Sequence, residues 1–184
     1  AHSRSQITGC TRCLDVCPAA AISPDGDAVS IDPYLCGGCG SCNSVCPTQA
    51  VSYAYPSDQH LLTRAKTLLS TYLKAGGTRA VLLVHAAEHG FGMMEASARF
   101  GRGLPSRAVP LAVHEPTQIG AEFLLSTFAF GADRVVVLVP QKRRDELDGL
   151  AQQAGLAESI LSGLDYQSGL VTVLVEDDPD ALEA

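Results

Sequence analysis

The sequence contains no tryptophan, and only 5% of its 184 residues are aromatic, so any hydrophobic core must be aliphatic. Long apolar runs are missing as well. The longest, AVLLV and VVVLV, are far shorter than the roughly 20 residues that a membrane-spanning helix requires. With 46% hydrophobic residues, the chain can still bury a core in one domain, or in a small and a medium one.

Positive charge is also scarce. Lysine and arginine number 13 against 20 acidic residues, and the resulting net charge of -7 argues against nucleic acids and anionic membranes as partners. No charged and then apolar signal segment precedes the first cysteine, which favours a cytoplasmic location. The chain opens with Ala1 and not with methionine, so we expect it to be a piece of a longer polypeptide.

Motifs for nucleotides and for nucleophilic catalysis are absent too. No GxxxxGK[ST] segment occurs, and the GFG of residues 90–92 lacks the surrounding GxGxxG pattern. No cysteine follows position 46, and the serines have no context that indicates a triad. We therefore assign no catalytic residues and expect an electron carrier or oxidoreductase subunit without an activity of its own.

What the sequence does contain is a dense group of cysteines near its start. Their odd number and CxxC spacing, without a secretion signal, indicate metal ligation in a reducing compartment and not disulfides. A four-thiolate zinc site is the simpler alternative, but it has no use for the third thiol of each group. The seven are Cys10, Cys13, Cys17, Cys36, Cys39, Cys42 and Cys46.

The cysteines belong to an internal repeat. A shift of 29 positions places CTRCLDVCPAAAIS on CGSCNSVCPTQAVS, and the counterpart of Cys36 is then Ile7. The three residues between Cys13 and Cys17, and their counterparts in the second copy, fit one helical turn that the following proline closes. PDGD predicts a turn between two short strands. One copy of the repeat is thus one thiol short.

The complete copy, CxxCxxCxxxCP at residues 36–47, resembles the bacterial two-cluster ferredoxins, and the resemblance extends from Ser5 to about Tyr55. It implies a small α+β ferredoxin-like domain with crossed ligation. One [4Fe-4S] cluster is then complete, and the other lacks a ligand at Ile7. The complete set is Cys17, Cys36, Cys39 and Cys42, and the incomplete set is Cys10, Cys13 and Cys46.

The incomplete set leaves three interpretations open. A [3Fe-4S] cluster needs only three thiolates, and a [4Fe-4S] cluster could take a fourth ligand from upstream chain, His2 or Ser5. The third interpretation is an empty site. On ligand count, we rank the first two level and the empty site below them.

After Tyr55 the pattern changes to alternating helices and strands. Residues 56–77 predict an amphipathic connecting helix with a Ser57/Asp58 cap and leucines at helical spacing. The segments 79–85, 107–114, 133–140 and 170–176 predict strands, with helices at 88–101, 116–131, 141–155 and 157–164 between them. This order predicts an α/β domain with a mainly parallel sheet of about four strands. The predicted organisation is 1–55, 56–77 and 78–184.

Polar residues follow the predicted strands at the edge where open α/β sheets bind ligands. We favour solvated loops over a site for them, and a solvated helix face for the mixed-charge QKRRDELD. These residues are His85, Glu88, His89, His114, Glu115, Gln141, Lys142, Arg143 and Arg144.

Two further resemblances bear on function. LLSTFAFGADRVVVLV is similar to the delta-subunit family of methyl-viologen-reducing hydrogenases, although this chain has none of that family's strand-end cysteines. The whole pattern resembles polyferredoxin-like proteins that accompany molybdenum oxidoreductases such as formate dehydrogenases. These resemblances imply electron transfer between redox proteins. The alternative hypothesis is a sensing or assembly accessory for a metalloenzyme, and a third option is catalysis in the α/β domain.

Overall fold

The computed structural model describes residues 9–183. An N-terminal module contains two single-turn helices, α1 (Arg12–Asp15) and α2 (Ser41–Ser44), and a hairpin of β1 (Ile22–Asp25) and β2 (Ala28–Ile31). The strands pair antiparallel with Ile22 opposite Ile31, and Gly26 turns the chain with a φ of 57°. The PDGD turn and its flanking strands are therefore confirmed.

The two halves of the module share their backbone as well as their cysteine pattern. α1 and α2 lie at the same 29-residue offset as the sequence repeat. Ala20 and Gln49, which are equivalent positions, both adopt left-handed conformations, with φ of 48° and 55°. Their N–H groups donate to the carbonyls of Cys17 at 3.1 Å and Cys46 at 3.4 Å. Two non-glycine residues with positive φ at matching positions are rare by chance, so the repeat is structural.

A long helix, α3 (Asp58–Lys74), connects the module to the rest of the chain. The Ser57 hydroxyl accepts a hydrogen bond from the N–H of His60 at 3.4 Å, as expected of an N-cap. Leu61, Ala65 and Leu69 form one buried stripe at helical spacing. The predicted amphipathic helix and its cap are thus confirmed.

The remaining chain alternates between strands and helices. Its four strands form one sheet in the order β4-β3-β5-β6, and every neighbouring pair is parallel. The strands are apolar because a parallel sheet is covered by helices on its faces. The elements are β3 (Val81–Ala86), α4 (Ala87–Phe100), β4 (Ala108–Val113), α5 (Ala121–Ala129), β5 (Arg134–Val139), α6 (Asp148–Gly163) and β6 (Val171–Val175).

The main core lies on one face of this sheet. Side chains such as Leu82, Leu111 and Val137 pack there against the buried faces of α3, α5 and α6. The opposite face carries a smaller cluster, in which Leu83 and Leu138 pack with residues of α4 and of the 3-10 turn at 179–183. The core is aliphatic apart from two phenylalanines of α5, as the scarcity of aromatic residues predicts.

Each predicted strand appears within two residues of its expected bounds, but three helix predictions need correction. The helix expected at 116–131 begins only at Ala121, because a 3-10 turn at Pro116–Gln118 precedes it. Residues 141–146 form another 3-10 turn, and the helices predicted at 141–155 and 157–164 are one helix, α6. Within residues 9–183, no helix is long and apolar enough to cross a membrane.

Candidate metal centre

Four cysteines line one cavity of about 310 Å³ in the N-terminal module. Cys17 reaches it from the end of α1, while the other three come from the loop before α2 and from α2 itself. Apolar side chains of Ile22, Ile31 and Leu35 form part of its wall. The four are Cys17, Cys36, Cys39 and Cys42, which are the residues that the resemblance to ferredoxins groups together.

The loop that carries Cys36 and Cys39 has a backbone that requires glycine. Gly38 and Gly40 have φ of 68° and 79°, where side chains are disfavoured. A Cβ on Gly40 would lie 2.6 Å from the Cβ of Gln118, far inside contact distance. The Tyr53 hydroxyl donates to the carbonyl oxygen of Gly38 at 2.6 Å. The loop is therefore held from both its own module and the α/β domain.

The electrostatics of this cavity disfavour a set of free thiolates. Burial, followed by the charges of Cys39 and Cys36, raises the pKa of Cys42 to about 11. Burial also raises the pKa of Tyr53 to about 12, with the charge of Glu115 as the next cause. Deprotonating these sulfurs together needs a compensating cation, and a bound metal centre supplies one.

The other three cysteines interact at a second location. Burial raises the pKa of the Cys13 thiol, and the charges of Cys46 and Cys10 raise it further. Burial also acts to raise the pKa of Cys46, but hydrogen bonds from Val51 and Thr48 outweigh it, so the net shift is downward. The charges of Cys13 and Cys46, which belong to different halves of the repeat, thus interact.

The position that would complete this second set lies outside the described residues. Cys10 is exposed and lies near the start of the described chain. Ile7, which the repeat places at the missing ligand, and the alternative ligands His2 and Ser5 lie outside residues 9–183.

Within residues 9–183, no three histidine, cysteine or acidic side chains converge closely enough to hold a metal ion. Cluster ligands need no such convergence, because each thiolate binds a different iron of a cubane.

The α/β domain contributes one side of the four-cysteine cavity. The Thr117 hydroxyl, in the turn after β4, donates to the carbonyl oxygen of Cys39 at 2.7 Å. Arg143 and Glu146, which follow β5, line the cavity itself. No sequence pattern marks Thr117, and the mixed-charge segment predicts a solvated helix face for Arg143. That assignment is wrong for Arg143, whose side chain is three-quarters buried between two carboxylates.

Other polar residues at the same sheet edge have structural partners. His85 is 1% exposed, and its Nδ1 lies 3.0 Å from the carbonyl oxygen of Ala86. His89 Nε2 lies 3.0 Å from Asp177 Oδ1. Neither histidine lines the four-cysteine cavity. Of these residues at the sheet edge, Arg143 therefore lines the four-cysteine cavity, and Glu115 binds Arg143.

The N-terminal module thus combines a cavity lined by four cysteines, a second cysteine group and a repeated backbone. Residues 8–50 match a family model described as a 4Fe-4S dicluster domain. The match covers less than half of the chain and characterises this module alone. No curated protein matches the chain.

Proposed function

We propose that this chain carries single electrons between redox proteins, with the four-cysteine cavity holding a [4Fe-4S] cluster. The observation that supports this most strongly is the meeting of Cys17 with Cys36, Cys39 and Cys42 around one cavity. Cys17 belongs to the first half of the repeat and the other three to the second. This arrangement suits the crossed ligation of two-cluster ferredoxins.

The protein's own groups would hold and tune such a cluster. When bound, a [4Fe-4S] cluster supplies reversible one-electron chemistry. The N–H of Ala21 donates to Cys17 Sγ at 3.3 Å, and hydrogen bonds to ligand sulfurs favour the more negative, reduced state. The glycines of the 37–40 loop leave the main chain free to approach the cluster.

For the second group, Cys10, Cys13 and Cys46, we propose a second cluster. Its form is either [3Fe-4S] or [4Fe-4S] with a fourth ligand that is not one of the seven cysteines. The charge coupling of Cys13 with Cys46 and Cys10 supports a shared site for the three.

We also propose the wider setting. The chain would divide at residues 55 and 77 into an iron-sulfur module, a connecting helix and an α/β domain that docks other redox proteins. A molybdenum oxidoreductase such as formate dehydrogenase is the partner class that the sequence resemblance favours, and the cytoplasm is the proposed location.

The experiment is to measure iron and acid-labile sulfide per anaerobically purified chain, with EPR spectra in both redox states. It should include this chain and a version extended upstream. We expect about eight irons only in the longer version if the missing ligand lies upstream, and about seven in both for a three-iron cluster. Zinc without sulfide in both versions would overturn the proposal.

A further inference from the structure

Arg143 is the basic residue of the α/β domain that lines the four-cysteine cavity. It lies in the 3-10 turn at Gln141–Glu146, just beyond the carboxyl end of β5. Only 25% of its side chain is exposed. Arg143 therefore shares this cavity with the four cysteines and is not a fully solvated surface charge.

Two carboxylates fix the position of the guanidinium group. Arg143 Nη2 donates to Glu115 Oε1, and Nη1 donates to Glu146 Oε2, both at 2.7 Å. Glu115 follows β4, whereas Glu146 ends the same turn as Arg143, so the contacts come from two separate segments. A guanidinium bound on two sides loses its rotamer freedom and keeps its charge at any pH relevant to the protein.

The positive charge of Arg143 interacts with one of the four cysteines, Cys39. The charge of Cys39 interacts with Arg143 and helps to raise the pKa of the guanidinium, after the hydrogen bond to Glu146 as the leading cause. Cys39 is also the residue whose carbonyl oxygen Thr117 holds. The α/β domain thus fixes both the backbone and the electrostatic surroundings of one ligand.

We infer that Arg143 sets the reduction potential of the complete cluster, and that the α/β domain thereby acts on the electron-carrying site. This inference rests on the proposed function. Reduction adds one electron from a donor, which is dithionite in the experiment below, without breaking a bond or moving a proton. A fixed positive charge beside the site stabilises the added negative charge and raises the potential.

A substitution at Glu146 should shift the reduction potential in the opposite direction to one at Arg143. It lines the same cavity, so its carboxylate disfavours the added electron. Replacing Glu146 by glutamine removes this charge and leaves Arg143 bound to Glu115. A purely structural role for the ion pairs would instead change thermal stability in both variants without opposite shifts in potential.

Arg144 is the matched control. It is the next residue, it is exposed, and it does not line the cavity. Arg143→Gln and Arg144→Gln change the net charge equally, so any general effect of charge is the same in both. Arg143→Lys keeps the charge and loses the two-sided geometry.

The experiment is an EPR-monitored dithionite titration of the full chain and its variants, with iron and sulfide measured on each sample. We expect Arg143→Gln to lower the potential of the complete cluster well beyond Arg144→Gln, Glu146→Gln to raise it, and Arg143→Lys to stay between wild type and Arg143→Gln. The signal of the second cluster is the internal reference. If Arg143→Gln fails to fold, the shift in the reduction potential of Glu146→Gln tests the inference by itself.

Equal shifts in Arg143→Gln and Arg144→Gln, or a shift of the second cluster alone, would overturn the inference. So would an unchanged potential in Glu146→Gln if Arg143→Gln does not fold. Failure of the proposed function has a different signature, because the wild-type chain would then contain no acid-labile sulfide.

Discussion

The two halves of the iron-sulfur module have the same local backbone and different surroundings. α1 has no buried residue, and its N-cap Thr11 uses its hydroxyl to bind Asp15 at 2.7 Å. The counterpart of Thr11 is Gly40, which packs directly on Gln118 of the α/β domain. At this position, therefore, the second domain packs on the half with the full cysteine run, whereas the equivalent residue of the first half makes a contact within its own helix.

This comparison separates what the repeat determines from what the second domain adds. The turns, the positive φ angles and the hydrogen bonds to the carbonyls of Cys17 and Cys46 recur in both halves. Among the contacts described, the threonine hydroxyl on the Cys39 carbonyl belongs to the second half alone. Two similar sites in sequence thus become unequal through packing.

The largest effect is expected from replacing Cys17 or Cys46, each of which, in the proposed crossed ligation, binds a cluster together with cysteines of the other half. Cys17→Ala should abolish the EPR signal of the complete cluster and remove about four irons, because a cubane needs each of its thiolates. The result should match Cys36→Ala, although residue 36 lies in the other half. Cys46→Ala should instead match Cys13→Ala. Iron content and EPR measure the outcome. If each half bound its own cluster instead, Cys17→Ala would lose the same iron and the same EPR signal as Cys13→Ala.

Gly40 offers the next largest effect. Gly40→Ala should destabilise the protein by about 3 kcal/mol, since the left-handed φ and the clash with Gln118 both oppose a Cβ. Gly155→Ala, in α6, is the control, because nothing lies within 4 Å of its Cβ position and it does not line the four-cysteine cavity. It should cost less than about 1 kcal/mol. Chemical unfolding of both variants under anaerobic conditions measures the difference, and equal losses would contradict the close packing.

Val45 and Val16 occupy equivalent positions in the repeat and provide a matched pair. Val45 is 5% exposed, whereas Val16 is only partly buried. Val45→Ala should therefore cost about 2 kcal/mol of unfolding free energy, and Val16→Ala less than about 1 kcal/mol. Comparing their denaturant midpoints tests whether the second half is more firmly packed, and a reversed order would refute it.

Thr117→Val is expected to have the smallest effect. It removes the hydroxyl that donates to the Cys39 carbonyl and leaves that oxygen unpaired, at a cost of about 1 kcal/mol. Thr11→Val, whose hydroxyl is exposed, should change stability by less than about 0.5 kcal/mol. Thermal unfolding midpoints measure both. A Thr117 variant as stable as the Thr11 variant would show that the bond between domains contributes little.

Much of the fold follows from short-range patterns in the sequence. Apolar segments between glycines predict the four strands, and the Ser57 cap and leucine spacing predict α3, because these signals act within a few residues. The break before Ala121 has a long-range cause. Gln118 packs on Gly40, which lies 78 positions earlier, and Ile119 and Gly120 are extended.

The candidate site also contains features that short-range patterns predict and features that have a long-range cause. Spacing and the internal repeat group the cysteines, since ligands of one cluster lie within short and regular intervals. Arg143 could not be identified so directly, because Glu115 binds it from another strand end, 28 residues away. The one available indication was its position after β5, at the carboxyl edge of the sheet.

Gly149 in the first turn of α6 lies against both Val16 and Val45, and a Cβ there would be 2.6 Å and 3.6 Å from their methyl groups. Since the two valines are equivalent, a module with identical halves could dock on this glycine in two orientations that exchange the halves. Thr117 and Gly120, however, meet Cys39 and Ser44 and not the counterparts of these residues. The divergence of the repeat thus selects a single docking orientation, and copying the second half into the first would make docking ambiguous.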